Sequence, residues 1–240
     1  MERTAAVVLA AGKGSRMEST IHKQYMELCG RPLLYHTLRA FEESSVDEVV
    51  LVTGPGEVSF CRTEIVDRYG FRKITDVTEG GKERYHSVYA GLKAVKNCSY
   101  VLIHDGARPC VTKEIIDTSK AAAIKYGACV IGIPVKDTIK ISDENGYAAL
   151  TPDRASLWQI QTPQAFRYDL VFKAYQRLME SECFQKGVTD DAMVVESMTE
   201  EKVKLIKGDY TNIKVTTPED LEIASVFLNR IYGKKQKGML

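Results

Sequence analysis

Phosphate chemistry is the first suggestion of this sequence. The segment Leu9-Ala10-Ala11-Gly12-Lys13-Gly14-Ser15-Arg16-Met17 follows an apolar run directly, and Lys23 stands just downstream of Arg16. Glycines in such a loop let backbone N–H groups converge on phosphate oxygens, and two nearby cations suit a triphosphate. The Walker A spacing cannot be fitted, because Gly12 and Gly14 are not followed by Gly-Lys-Ser at the required positions. The dinucleotide fingerprint fails at Met17, and the next predicted strand ends in Thr53-Gly54 rather than in an acid for a ribose hydroxyl. A P-loop NTPase and a Rossmann dehydrogenase are both disfavoured.

Further on, Asp105 closes an apolar run, where an open α/β sheet keeps its functional residues, and it suits a substrate hydroxyl, a Mg²⁺-bound water or a backbone cap. Arg108 suits either a substrate phosphate or a structural ion pair. His36 and His86 lack metal-ligand spacing, and His104 reads as a satisfied strand-end histidine.

The elements that must hold these groups alternate. Ala5 to Ala10 reads as a strand buried on both faces; Pro32 opens a helix carrying Leu34, Leu38 and Phe41; Glu48 to Thr53 is the next strand. The pattern recurs with a strand near Lys73 to Val77, a helix from Glu83, and strands at Tyr100 to His104 and Ala128 to Pro134. Helices are expected at 169–180 and 191–198, then a strand at 202–207 and a last helix capped by Thr217 with Pro218 at its first position. The expected fold is α/β, a mostly parallel, doubly wound, Rossmann-like sheet in one domain over 1–240, with ligands at the carboxyl ends of the strands. The stretch 135–161 breaks the alternation. Its Asn145-Gly146 turn lies between Thr138-Ile139-Lys140-Ile141 and Ala148-Ala149-Leu150, which reads as a protruding β-arm whose apolar residues would be buried by a second copy of the chain.

Bulk composition narrows the partners. Thirty-three basic and thirty-two acidic side chains in 240 residues nearly cancel, so the electrostatic footprint of a nucleic-acid binder is missing. The six cysteines form no C-x-x-C pair, and Cys110 and Cys129 read as small apolar residues, which suits a reducing compartment. No apolar run approaches membrane-spanning length, and Met1-Glu2-Arg3-Thr4 runs into a strand without a secretory h-region. A cytoplasmic location is the expectation, with no membrane partner.

Taken together, these segments resemble the 2-C-methyl-D-erythritol 4-phosphate cytidylyltransferase family from Val7 to about Leu228. The resemblance is carried by Leu9 to Met17 with Lys23-Gln24, Gly80-Gly81-x-Glu83-Arg84-x-x-Ser87-Val88, His104 to Pro109, Pro134-Val135-x-Asp137 to Lys140, Arg154, Gln161 to Gln164, Thr189-Asp190, and Asn212 to Thr216. It implies attack of methylerythritol phosphate on the α-phosphorus of CTP in non-mevalonate isoprenoid precursor synthesis, with Mg²⁺ held mainly through the CTP phosphates. Ala10, Ala11, Gly12, Gly14, Ser15, Gly81, Arg84 and Ser87 would then hold the nucleotide. Arg16 and Lys23 would stabilise charge on the α-phosphate and leaving pyrophosphate, and Arg154 and Lys214 would position the second substrate. Asp105, Arg108, Thr138, Thr162 and Thr189 would line the polyol phosphate pocket, no residue being a certain metal ligand. In the family the arm crosses to a neighbouring subunit, which implies a homodimer with Arg154 shared between chains. His22 stands where a proline is common, suggesting a less rigid approach to Lys23, and Gly106 where alanine is frequent. A ribitol-5-phosphate cytidylyltransferase is the nearest alternative, followed by a sugar-1-phosphate nucleotidyltransferase and a non-catalytic nucleotide-binding subunit.

Overall fold

The computed structural model describes residues 2–12 and 22–237, so Gly14, Ser15 and Arg16 lie outside the described residues. A seven-stranded sheet runs through the molecule. Its strands are β1 (Thr4–Ala10), β4 (Glu48–Thr53), β5 (Ile74–Glu79), β6 (Tyr100–Asp105), β7 (Ala128–Pro134), β10 (Trp158–Arg167) and β11 (Lys204–Lys207), in the spatial order β11-β7-β10-β6-β1-β4-β5. Two hairpins complete the strand inventory among the described residues: β2 (Glu27–Leu28) with β3 (Arg31–Pro32), and β8 (Ile141–Ser142) with β9 (Ala148–Leu150).

Alternation of the apolar run decides which helix each side chain meets. On one face Ala6, Val8 and Ala10 pack with Leu34, Leu38 and Phe41 of α1 (Leu33–Glu43) and with Ile116 and Ala123 of α4 (Lys113–Tyr126). This layer also takes in Cys61 and Ile65, which follow the short α2 (Val58–Phe60). On the other face Ala5 and Val7 meet Val88 and Leu92 of α3 (Arg84–Ala94), Val171 and Tyr175 of α5 (Tyr168–Glu180), and Val194 and Val195 of α7 (Asp191–Met198), with α6 (Glu182–Gln185) between α5 and α7. All of β1 but the half-buried Leu9 is buried, as expected of a strand covered on both sides. The last helix, α8 (Pro218–Lys237), packs Ala224 and Leu228 on Leu28, Leu33 and Val215. Its start is held by Asp220, whose carboxylate accepts from the backbone N–H groups of Thr216 and Thr217 at 2.8 and 2.9 Å.

Most expected elements form within a residue or two of their expected ends. Pro32 caps α1 rather than opening it. Among the elements that were not foreseen, two bear on the sheet. Helix α4 begins at a Thr112 cap, whose side chain accepts from the Ile115 N–H, and stops at Gly127 with φ +78°. Strand β10 lies antiparallel between β6 and β7, which makes the sheet mixed. Pro163 argues against a central strand because it has no N–H to give. Here the register shifts between Ile160 and Gln164, so the ladder steps past the proline. β10 therefore begins at Trp158, and the excursion beyond the sheet is shorter than its sequence-based bounds.

Along that excursion residues 136–151 are all exposed. The Asn145-Gly146 turn is present: Gly146 has φ +84°, and Asp143 Oδ1 accepts from the N–H groups of Asn145 and Tyr147 at 3.0 and 2.9 Å.

Candidate active site

The chain reverses its direction of travel across the sheet between β1 and β6: β4 and β5 lie on one side of β1, and β6 lies on the other. Such a switch point leaves a crevice at the carboxyl ends of the strands. A cleft of about 750 Å³ opens there, lined by Ala10, Ala11 and Gly12 at the end of β1, by Gly80 to Arg84 and Ser87 after β5, and by Lys23, Asp105 and Lys214. The paired glycines have a steric reason. A Cβ on Gly80 would lie 2.5 Å from Ser87 Oγ and 2.8 Å from Ala11 Cβ, and one on Gly81 would lie 2.4 Å from His86 Cβ. Their absence lets the β5–α3 loop fold onto the start of α3. Gly81 N–H donates to Ser87 Oγ at 3.1 Å, and Glu83 with His86 forms a capping box. Gly106, between β6 and the loop, is similarly constrained, since a Cβ there would lie 2.8 Å from the Leu9 carbonyl oxygen.

Lys23 sits in a single 3-10 turn, Lys23–Tyr25. The buried Gln24 donates from Nε2 to the Ala10 carbonyl at 2.7 Å, and Tyr25 donates its hydroxyl to Glu57 Oε2 at 2.8 Å. The His22 imidazole pairs with the other oxygen of Glu57. Three side chains, those of His22, Gln24 and Tyr25, pin the turn to β1 and to the segment after β4, while the loop that leads into His22 lies outside the described residues. Lys23 Nζ reaches the Val215 carbonyl at 3.1 Å, which brings it to the segment between β11 and α8 that carries Lys214.

A second cavity of about 310 Å³ lies beside the first, lined by Arg108, Ile160 to Thr162, Gln164, Thr189 and Asp190. Arg84, Asp105 and Lys214 face both cavities. Asp105 is the hub of this shared wall. Its Oδ1 accepts from Arg84 Nε at 3.3 Å and its Oδ2 from Lys214 Nζ at 2.8 Å, while Arg108 Nε stands 3.9 Å from Oδ2. Burial would raise the Asp105 pKa, but the charges of Arg84, Lys214 and Arg108 outweigh it and hold the carboxyl far below its ordinary range. Burial pulls Arg84 down, and the charges of Asp191 and then Asp105 more than reverse it. The same burial lowers Arg108, whose Nη1 donates to the Asn212 carbonyl at 2.8 Å and whose Nε has no hydrogen-bond partner among the described residues.

Thr162 sits behind this hub with its hydroxyl turned inward. It accepts from the Asp105 N–H at 3.1 Å and lies 2.9 Å from His104 Nδ1, within hydrogen-bond distance of the imidazole. Burial pushes the His104 pKa down to about 3 and keeps the ring neutral.

Of the residues expected from sequence, Ala10, Ala11, Gly12, Lys23, Gly81, Arg84, Ser87, Asp105 and Lys214 meet in the larger cleft, and Arg108, Thr162 and Thr189 in the smaller. Gly14, Ser15 and Arg16 fall outside the described residues. Thr138 and Arg154 are exposed on the excursion and line neither cavity, Arg154 donating to the Lys136 carbonyl at 3.0 Å. As a direct ligand for Mg²⁺, Asp105 fits poorly, since three cations surround it and no group of three or more acidic, histidine or cysteine side chains suited to a metal occurs among the described residues. Sequence reasoning missed Asp191 and Tyr175, which back the wall from behind. The Asp190-Asp191 pair at a helix start was the available signal, but it reads as helix capping, which Asp190 performs by accepting from Met193 N–H.

Comparison with known proteins identifies the family. The model of the family 2-C-methyl-D-erythritol 4-phosphate cytidylyltransferase (IspD) matches residues 4–230. A protein of that name from Lachnospira eligens is 54% identical, over 93% of this chain and 98% of its own length, and one from Alkaliphilus oremlandii is 48% identical, over 95% and 96%. The crystal structure of 4-diphosphocytidyl-2C-methyl-D-erythritol synthase from Anaerococcus prevotii superposes with a TM-score of 0.83 at 35% identity, covering 95% of this chain and 96% of that one. The chain belongs to the 2-C-methyl-D-erythritol 4-phosphate cytidylyltransferase family.

Proposed function

As a member of that family, this protein, we infer, transfers the cytidylyl group of CTP to 2-C-methyl-D-erythritol 4-phosphate in isoprenoid precursor synthesis. A phosphate oxygen of the alcohol phosphate bonds to the α-phosphorus, the bond from that phosphorus to the bridging oxygen breaks, and pyrophosphate leaves with the electron pair. The nucleophile is already anionic at neutral pH, so no base has to be supplied; the demand is to hold two anions together. The observation that carries the reading is the common wall of Arg84, Asp105 and Lys214 between a nucleotide-sized cleft and a smaller polar cavity. It supports CTP in the first, on Ala10 to Gly12, Gly14, Ser15, Gly81, Arg84 and Ser87, and the polyol phosphate in the second, at Asp105, Arg108, Thr162 and Thr189.

Lys23 and Arg16 take the role of stabilising the α-phosphate and the leaving group, and Lys214 that of orienting the attacking phosphate. Mg²⁺ belongs to this reading as part of the nucleotide, bound through phosphate oxygens, where it neutralises charge. Thr138 and Arg154 act in a homodimer in which each arm reaches the other chain's site. Support comes from the arm's apolar side chains, among them Tyr147 at 74% and Leu150 at 57% exposure, which lack cover within the chain. A cytoplasmic location completes the proposal and is supported by six free thiols. The residues 1–240 act as one catalytic domain.

The test is pyrophosphate release with CTP and Mg²⁺ across methylerythritol 4-phosphate, ribitol 5-phosphate and a sugar 1-phosphate, with ATP, GTP and UTP as nucleotide controls. Release with CTP and methylerythritol 4-phosphate is expected. Release with ribitol 5-phosphate alone would replace the assigned substrate, and release with none would leave a nucleotide-binding subunit.

A further inference from the structure

The wall between the two cavities is held from behind by two side chains that line neither of them. Asp191 is the first residue of α7 and Tyr175 lies within α5, and both are fully buried. Arg84 lays its guanidinium on the Asp191 carboxylate as a fork, Nη1 to Oδ1 and Nη2 to Oδ2 both at 2.8 Å. Tyr175 donates its hydroxyl to the same Oδ1 at 2.5 Å. The remaining edge of Arg84, Nε, goes to Asp105, which holds Lys214. A guanidinium has five N–H groups in one plane, so a two-point grip on one carboxylate fixes that plane as a single contact would not.

Stability gives little reason for such an arrangement. A carboxylate taken wholly out of water is costly, and an apolar set of similar volume commonly serves folding as well or better. What the pair supplies is geometry. We propose that Asp191 is a positioning residue for cytidylyl transfer: by fixing the plane of Arg84 it sets Asp105, and through Asp105 the Lys214 ammonium, against the reacting phosphates, with Tyr175 fixing Asp191 in turn. The proposal rests on the cytidylyltransferase reading above and deepens it.

Charge separates this role from simple support of substrate binding. An Asp191→Asn substitution keeps the volume but leaves Arg84, Arg108 and Lys214 facing Asp105 alone, a more positive site. Anionic substrates then bind no more weakly, while the misaligned wall slows the chemical step. Misplacement of about 1 Å at a reacting centre costs up to roughly 10²-fold in rate.

The experiment is a double-mutant cycle on steady-state kinetics with CTP, Mg²⁺ and methylerythritol 4-phosphate, using Asp191→Asn, Arg84→Lys and the pair together. Each single substitution is expected to lower kcat by about 10- to 100-fold, with KM for CTP unchanged or lower in Asp191→Asn, and the double to fall within about threefold of the worse single, because both break one unit. Tyr175→Phe is expected to lower kcat by about three- to tenfold and to lose that effect in the Arg84→Lys background. Multiplied losses in the double, or a lowered Tm with kcat unchanged in Asp191→Asn, would overturn the proposal. Should Asp191→Asn not fold, the cycle of Tyr175→Phe with Arg84→Lys decides in the same way. An inactive wild type fails the functional reading itself, whereas an active wild type with multiplied losses fails only this inference.

Discussion

The wall around Asp105 and the excursion that follows Pro134 treat charge and apolar surface in opposite ways. In the wall, every carboxylate oxygen has a cation or hydroxyl partner within the chain: Asp105 between Arg84 and Lys214, Asp191 between Arg84 and Tyr175. In the excursion, residues 136–151 all face water, and Ile141, Tyr147 and Leu150 are 49%, 74% and 57% exposed. One region is complete within a single chain. The other exposes apolar side chains that a second chain would cover in the proposed dimer, and Arg154 follows it, exposed as well. The contrast teaches that wall residues and arm residues should fail differently: the first through the chemistry at fixed assembly, the second through assembly itself.

Removing a wall cation is the largest test of that contrast. Lys214→Ala is expected to lower kcat by about 10²–10³-fold, as loss of one preorganised charge does, with dimerisation untouched. Steady-state kinetics paired with sedimentation checks both halves, and a change in mass would blur the distinction. Arg154→Ala is expected to cost about 10²-fold, and here the two regions can be set against each other. Mixed with an equal amount of Lys23→Ala under exchanging conditions, half the dimers pair one chain of each kind and have one intact site, so activity should recover to about a quarter of wild type. No recovery would mean that Arg154 serves its own chain.

Smaller effects sharpen the same line. Tyr147→Ser with Leu150→Ser should weaken the dimer at micromolar concentration while shifting the Tm of the monomer by about a degree or less, since no chain-internal packing is lost. A fall of many degrees would show the arm to be part of the fold. On the wall side, His104 gives a pH signature. Burial lowers its folded pKa to about 3, whereas the unfolded ring titrates near 6.5. The unfolded chain therefore binds the extra proton between those values, and the stability that neutral His104 contributes is full above about pH 6.5 and declines below it, by up to about 1.4 kcal/mol per pH unit. His104→Gln should narrow its stability gap to wild type as pH falls from 7 to 5, measured by denaturant unfolding; a constant gap would contradict the assignment.

Much of the wall could be read from the chain before any coordinates, because its residues close strands or follow them. Asp105 ends an apolar run and Gly80-Gly81 precedes a helix, and these are local signals. The arm was legible for the same reason, since Asn145-Gly146 announces its turn. Strand β10 was not, because Pro163 hides a central strand unless the register shift that accommodates it is known. Asp191 and Tyr175 were hidden for a different reason. A tyrosine among apolar residues of a helix and an aspartate beside a capping aspartate each have an ordinary local explanation, and only the folded chain brings them to Arg84, which is far away in sequence. The grip on Lys23 shows the same limit: Glu57, which holds both His22 and Tyr25, follows a different strand.

The most direct measurement of the central claim is ³¹P NMR of the purified protein with CTP, Mg²⁺ and 2-C-methyl-D-erythritol 4-phosphate. The account predicts loss of the triphosphate and alcohol-phosphate signals together, with equal growth of pyrophosphate and of a diphosphodiester, and no such change with Lys23→Ala on the same timescale. Unchanged spectra for the wild type, or nucleotide breakdown that proceeds equally without the alcohol phosphate, would contradict it.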